Sequence, residues 1–303
     1  MKNFFKENKL IIASRASPLA IKQCEVIIKI IKGFETEIMP LRTRGDIIQN
    51  KLLSEIGGKG LFIKEVERSI VKKKAHIAIH SMKDLEWEIN DHTKIGAVPI
   101  RGSTSDVFIS KWQNIETVPK NIKIGTSSVR RKAFLLGYNP KFKISLLRGN
   151  INTRIEKFLN GEFDAIVLSE IGLKRLGLKV NYFKIPKKIL LPSPGQGALA
   201  VQCLKNENNL VEILNLINDK NSYLETYCER IFTKTLNGNC SSPISALAKI
   251  KKNKILLQGA VAKEDGSIII KDTLSGNIED VERIGIRLGL KILEKVKMNG
   301  SFL

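Results

Sequence analysis

The sequence predicts two doubly wound α/β domains followed by a small α+β domain. Two observations carry that reading. Strand-like and helix-like segments alternate from the start, in two successive runs that meet near residues 100 to 106, and after about residue 221 strands follow one another directly. Alternation implies parallel sheets with helices on both faces, whereas consecutive strands beside one or two helices imply an α+β unit.

The first run opens with "KLIIAS", a strand, followed by Ser17 and Pro18, a serine cap with proline at the first helical position. A helix to about Lys32 leads to the strand "TEIMPLR". "GGKG" then introduces a helix around "LFIKEVERSIVKKK", and "AHIAIHS" alternates as a strand does. The second run reads "DVFIS", "IKIGTSS", helix, "KISLLRG", helix, "DAIVLSE", helix. Beyond it, a helix over 222–236 ends in the loop "NGNCSSP", and the strands "ISALAKI", "KILLQGAVAK" and "SIIIKDTL" follow. Val281, Ile284, Leu288, Ile292 and Val296 share one face of a final helix.

Composition bounds the function. The 303 residues carry 51 basic and 30 acidic side chains, a formal net charge of +21 that favours polyanionic partners: nucleic acid, acidic lipid or a carboxylate-rich small molecule. Lysine runs such as "VKKKAH" and "KIKKNK" read equally well as solvated faces, so the arginines are the more telling cations. With aromatics at 6% and no recognisable binding motif, a nucleic-acid binder has only net charge in its favour. No apolar stretch approaches the ~18 residues that span a bilayer. The amino end lacks a signal-peptide core, and the expected compartment is the cytoplasm. Cys24, Cys203, Cys228 and Cys240 form no CxxC pair, which argues against a zinc site and a disulfide framework. His76 and His80 share a strand face without further ligands, and no metal is expected. "GGKG" lacks the spacing of a phosphate-binding P-loop and reads as a mobile lid carrying Lys59.

Ligands of open α/β sheets bind beyond the carboxyl ends of the strands. There the sequence places Arg15 and Ser17, then Arg42, Thr43, Arg44 and Asp46, then Ser81, Lys83 and Asp84. The second run adds Thr126, Ser127, Ser128, Arg130 and Arg131, then Arg148, Asn150, Arg154 and Arg175. In "GTSSVRR" two arginines fall in a first helical turn, where the helix's own partial positive charge disfavours cations. Acidic residues are scarce in these loops, so a bound polyanion is expected to neutralise the guanidiniums and use the helix terminus. Any one of these arginines reads better alone as a surface ion pair or a packing contact; their convergence is what favours a site. Asp84 is a carboxylate amid cations, suited to stabilising a cationic intermediate or relaying protons. On spacing alone, a helix cap or an ion pair with Lys83 is the favoured reading of Asp84. Cys240 sits in a polar, glycine-containing loop, where a reactive thiol and a tolerated one are equally supported. The other cysteines fall in helices or a strand, as small buried hydrophobes.

The runs "ASRASPLA", "TRGD", "GGKGLFIKEVE", "AIHSMKD", "GTSSVRR", "LRGNINTR", "GEFDAIVLSEIGLKRLGL", "LPSPGQGALAV" and "GNCSSPI" occur in this order over nearly the whole chain. Together they resemble the hydroxymethylbilane synthase, or porphobilinogen deaminase, family. The resemblance implies a transferase of tetrapyrrole (porphyrin and haem) biosynthesis. Such an enzyme joins four porphobilinogen molecules head to tail, releasing ammonia each time, to give linear hydroxymethylbilane. It implies two lobes like those of type II periplasmic binding proteins, residues 1–99 plus about 199–217 and residues 104–194, with a third domain over 221–303. It also implies a dipyrromethane cofactor held by a thioether to Cys240. Asp84 would assist departure of the amino group, with Lys83 beside it. Arg15, Ser17, Lys83, Ser128, Arg130, Arg131 and Arg154 would bind the cofactor; Arg15, Thr126, Arg148, Arg154, Arg175 and Lys59 would bind substrate.

Each pyrrole carries an acetate and a propionate, so the growing chain is the polyanion that the arginines require. No nucleic acid, membrane or metal enters this reading, and the family precedent is a monomer. A two-lobed solute-binding protein is the alternative of another class; the missing export signal and the third domain bearing Cys240 count against it. Two positions depart from the family pattern. Asn239 stands where a second glycine usually precedes the cysteine; asparagine tolerates left-handed backbone next best, so the loop is expected to keep its path. "KDLEWEIN" lacks the proline common shortly after the aspartate, which leaves the positioning of Asp84 to other contacts.

Overall fold

The computed structural model describes residues 9–43, 63–239, 242–300 and 302. The chain divides into two compact units, Met1–Gly102 with Ala198–Tyr223, and Ser103–Gly197 with Leu224–Leu303. In the first unit, β1 (Leu10–Arg15) leads to α1 (Pro18–Ile30), whose cap is the Ser17 side chain accepting from Ala20 N–H. Next come β2 (Thr36–Leu41), α2 (Lys64–Val71), β3 (Ile77–Ser81) and β4 (Thr93–Ala97). β1 lies between β2 and β3, all parallel. A return strand, Leu199–Leu204, inserts antiparallel between β3 and β4. Leu10, Ile12, Cys24, Ile27 and Val201 pack in the core of this sheet and its helices.

The second unit repeats the plan. β6 (Lys123–Gly125), β7 (Lys143–Ser145) and β8 (Ala165–Ser169) are parallel, in the order β7-β6-β8, and β5 (Asp106–Ser110) joins β8 antiparallel with β9 (Tyr182–Lys184) beyond it. The parallel strands feed α3 (Val129–Tyr138), α4 (Ile151–Leu159) and α5 (Glu170–Leu176).

Both sheets therefore depart from the all-parallel expectation, and each departure has the same cause. β5 and the return strand are the first strands after the chain passes from one unit to the other. Parallel pairing needs a crossover element to bring the chain back to the same edge, and these strands arrive from irregular segments that impose no such return.

The rest of the second unit is α6 (Lys220–Thr235) from Leu224 onward, a meander of β10 (Ile244–Lys251), β11 (Lys254–Ala262) and β12 (Ile269–Asn277), and α7 (Val281–Met298). α7 buries Val281, Ile284, Leu288, Ile292 and Val296, the face its spacing predicts. Leu247, Ala260 and Ala262 of the meander share a core with Phe108, Ile124 and Phe134 of the α/β sheet. The turn between β11 and β12 seats Gly266 against α3. A Cβ there would lie 2.5 Å from Gly137 N and 2.6 Å from Ala133 O, and Gly266 has φ +75°. Backbone cannot give way as a side chain can. Gly266→Ala should therefore destabilise the protein by about 2 kcal/mol or more and lower the melting temperature by several degrees. An unchanged melting temperature would show that this turn is not packed on α3.

Candidate active site

The residues singled out from the sequence fall into two groups, one in each unit, at the carboxyl ends of parallel strands. In the first unit, Arg15 ends β1 and Ser17 follows it, while Ser81 ends β3, its neighbour in the sheet, and Lys83 and Asp84 follow. Arg15, Ser17, Gln23, His80, Ser81 and Asp84 line one cavity. Asp84 lies in a short 3₁₀ turn, Met82–Asp84, flanked by buried Met82 and Leu85. Leu85 N–H closes the turn on Met82 O at 3.2 Å, and Met82 N–H donates to Ala198 O at 3.1 Å, just ahead of the return strand. Two buried anchors and that backbone bond position the turn without a proline.

The walls of this cavity include groups that sequence reasoning left out. Gln23 Nε2 donates to Ser81 Oγ at 2.8 Å, which turns the serine's own O–H toward another acceptor. His80 is buried, and burial, with Arg15 nearby, pushes its pKa down to about 4, although Gln202 acts in the opposite direction. At neutral pH it adds no charge beside Arg15. His76 plays a backbone role: its Nδ1 accepts from Ile11 N–H at 2.9 Å. Among the described residues, no cluster of three or more His, Cys, Asp or Glu could hold a metal.

In the second unit, Thr126 and Ser128 follow β6. Thr126 Oγ1 accepts from Ser128 N–H at 3.2 Å, and Ser128 Oγ caps α3 by accepting from Arg131 N–H at 3.3 Å. Arg130 and Arg131 are 4% and 6% exposed, which settles what they face. Arg130 Nη2 donates to Asp106 Oδ2 at 2.7 Å, and Arg131 donates to Asp106 Oδ1 from Nη2 at 2.7 Å and Nε at 3.1 Å. The Leu191 carbonyl accepts from Arg130 Nη1 at 2.6 Å and the Val167 carbonyl from Arg131 Nη1 at 2.8 Å. The expectation that only a ligand supplies negative charge here is thus corrected: the chain supplies one carboxylate itself. Two guanidiniums against one carboxylate still leave one formal positive charge in the buried cluster. Burial lowers the Arg130 pKa, and Arg131 adds to that, while Asp106 opposes it.

Asp106 escaped sequence reasoning because of strand direction. In antiparallel β5 it pairs with Ser169, the last residue of β8, so the start of β5 lies at the carboxyl ends of the parallel strands. Had β5 run parallel, Asp106 would sit at the opposite edge.

Arg148, Arg154 and Arg175 complete the group after β7 and β8. Arg154 Nε donates to Gly149 O at 2.8 Å, and Arg175 Nη2 donates to Gly197 O at 3.0 Å. Burial pulls Arg175 down to about 10. α5, which carries Arg175, is anchored at its start by buried Glu170. Burial opposes ionisation of Glu170, yet the Ser103 hydroxyl, Lys174 and Lys184 outweigh it and hold the group at about 2.

Lys59, Arg44, Asp46 and Cys240 lie outside the described residues. On either side of the cysteine position, Ser242 N–H donates to Asn239 O at 3.1 Å and Asn239 N–H to Ser242 Oγ at 3.1 Å. Asn237, at φ +50°, is left-handed where it closes α6, and Asn239 is not; the path of the loop through the cysteine lies outside the described residues. The other thiols are buried, and burial pushes Cys24 and Cys203 up to about 11 and Cys228 to about 12.

The family model for the porphobilinogen deaminase dipyromethane cofactor binding domain matches residues 10–212, and that for the porphobilinogen deaminase C-terminal domain matches residues 223–294. A porphobilinogen deaminase of Clostridium novyi (strain NT) is 41% identical over 298 residues, 95% of this chain and 99% of that protein. One from Buchnera aphidicola subsp. Acyrthosiphon pisum (strain Tuc7) is 41% identical over 95% of this chain and 94% of its own length. Likeness to solved structures is remote: a periplasmic substrate-binding protein of an ABC transporter from Coxiella burnetii is 12% identical, with TM-score 0.43 over 73% of this chain and 96% of that one.

Asp106→Asn would leave two buried guanidiniums without a counter-charge, a loss of about 3–5 kcal/mol. Urea unfolding should show a correspondingly lower midpoint; an unshifted midpoint would mean the pair is solvated.

Proposed function

The chain belongs to the porphobilinogen deaminase family, and from that premise we propose which of its residues perform the reaction. As a member it is a transferase, hydroxymethylbilane synthase, which condenses four porphobilinogen molecules into linear hydroxymethylbilane with release of ammonia, in tetrapyrrole biosynthesis. Its cofactor is a dipyrromethane. In each condensation the C–N bond of the aminomethyl group breaks and ammonia leaves. A C–C bond then forms between the resulting methylene cation and the free α-carbon of the growing chain, and that carbon gives up its proton.

The assignment rests on the company Asp84 keeps. It is the carboxylate of a cavity whose other polar lining is Arg15, Ser17, Gln23, Ser81 and a neutral imidazole, beside the apolar Leu19, Ala20, Ile63 and Ile79. Its charge opposes the cation that develops as ammonia departs and offers an acceptor for a pyrrole N–H. Lys83, next in the same turn, assists with its ammonium and binds a cofactor carboxylate. Arg15, Ser17, Ser128, Arg130, Arg131 and Arg154 hold the carboxylates of the cofactor, attached to Cys240. Arg15, Thr126, Arg148, Arg154, Arg175 and Lys59 hold those of the substrate.

The donor chemistry fits a dipyrromethane. A buried cluster with surplus positive charge, half-buried arginines and serine hydroxyls are partners suited to several carboxylates. When bound, that group supplies the nucleophilic pyrrole end on which the product is built. Thiols raised to about 11 or 12 by burial are poor nucleophiles at neutral pH, which supports Cys240 over the other three cysteines. The three sheets support a three-domain organisation, residues 1–99 with about 199–217, 104–194, and 221–303. The same reading has the enzyme acting as a cytoplasmic monomer with no nucleic-acid, membrane or metal partner. Among the described residues no helix is long and apolar enough to cross a membrane.

Incubation with porphobilinogen should release ammonia and, after acid and oxidation, give uroporphyrin absorbance; silence in both would remove the activity. Asp84→Asn should keep the fold and lower kcat by about 100-fold or more, and wild-type turnover would remove Asp84 from the mechanism. Intact-mass measurement should find an adduct of two pyrrole units on the wild-type chain and none on Cys240→Ala. An active enzyme without the adduct would refute the attachment.

A further inference from the structure

Residues 191–197 form an irregular strap in the second unit, and its backbone groups are engaged one after another. The Leu191 carbonyl accepts from Arg130 Nη1 at 2.6 Å and from Ser245 Oγ at 2.9 Å, and the Pro192 carbonyl accepts from Ala246 N–H at 3.1 Å. Gly195 and Gly197 have φ of +71° and +91°, the turn that brings the Gly197 carbonyl to Arg175 Nη2 at 3.0 Å. Gln196 Nε2, inside the turn, donates to Thr104 O at 2.8 Å. Two arginines assigned above to carboxylate binding are thus oriented by carbonyls at the two ends of one strap.

What fixes the strap is Glu229 on α6, which is fully buried. Its Oε2 accepts from Gly195 N–H at 2.6 Å and its Oε1 from Ala248 N–H on β10 at 2.7 Å. Two backbone N–H groups from different elements converge on one side chain, so only a group that accepts at both ends satisfies them. A glutamine of the same size would turn N–H₂ toward one of those donors. Burying a carboxylate is costly, and these two bonds offset that cost by holding a loop that has no regular structure of its own.

We propose that Glu229 is a positioning residue for substrate binding: through Gly195 it fixes the turn whose Gly197 carbonyl orients the Arg175 guanidinium. The proposal rests on the reading of Arg175 as a substrate ligand. Glu229→Gln should raise KM for porphobilinogen about tenfold in folded holoenzyme. Arg175→Gln should raise it as well, and the double variant should be no worse than Arg175→Gln alone, because both changes remove the same contact. Glu229→Asp, which keeps two acceptor oxygens, should recover part of the loss.

The outcomes separate cleanly. If Arg175→Gln does not move KM, the substrate-ligand reading fails and takes the proposal with it. If Arg175→Gln raises KM while Glu229→Gln does not, or if the two factors multiply in the double variant, the proposal alone is overturned. Should Glu229→Gln not fold, amide exchange in the wild-type holoenzyme decides. A Gly195 N–H that exchanges as slowly as that of Ala248 supports the proposal, and one that exchanges freely overturns it.

Discussion

Two guanidiniums bound to one buried carboxylate set the terms for the second unit. Arg130 and Arg131 occupy the first turn of a helix that carries no acidic residue there, and Asp106 reaches them from an antiparallel strand. Each cation is further held by a backbone carbonyl, Leu191 for one and Val167 for the other. The arrangement is stable enough to fold because every contact is charge-assisted, yet its charge does not cancel. The residual positive charge lies beside a helix amino terminus, whose own dipole has the same sign. An anionic ligand is the natural complement of such a place, and a carboxylate-rich pyrrole chain is one.

The strap over residues 191–197 extends this logic to the rest of the unit. It touches Arg130 at one end and Arg175 at the other, and Glu229, Ser245 and Ala246 bind it from α6 and β10. The α+β part, which also bears the cysteine position, is therefore coupled to Arg130 and Arg175 through hydrogen bonds as well as through the shared core around Phe134 and Ala260. In the first unit the equivalent economy is the 3₁₀ turn, where two buried hydrophobes and one bond to Ala198 fix Asp84, the carboxylate proposed for catalysis.

Much of this was legible in the sequence. Periodicity located the helices and strands, the serine–proline pair marked the start of α1, and the cysteines assigned to a buried interior are buried. The strand-end rule brought Arg15, Ser17 and Asp84 together in one unit and Thr126, Ser128 and the arginines in the other. What failed was strand direction. Local alternation looks the same whichever way a strand runs, so Asp106 read as an ordinary strand start, and the anion facing Arg130 and Arg131 was assigned wholly to a ligand. Glu229 was invisible for a related reason: on a helix, a buried glutamate that serves two distant amides has the same local pattern as a solvated one. Asn237 and Asn239 differ by two positions in one loop, and only backbone geometry shows which of them is left-handed.

The claim that carries the account is that the surplus charge of the Arg130–Arg131–Asp106 cluster is met by the carboxylates of the tethered cofactor. Thermal unfolding of the holoenzyme beside the Cys240→Ala chain tests it most directly. The holoenzyme should melt several degrees higher, and Arg131→Leu should shrink that gap. Equal melting temperatures for the two chains would contradict the account.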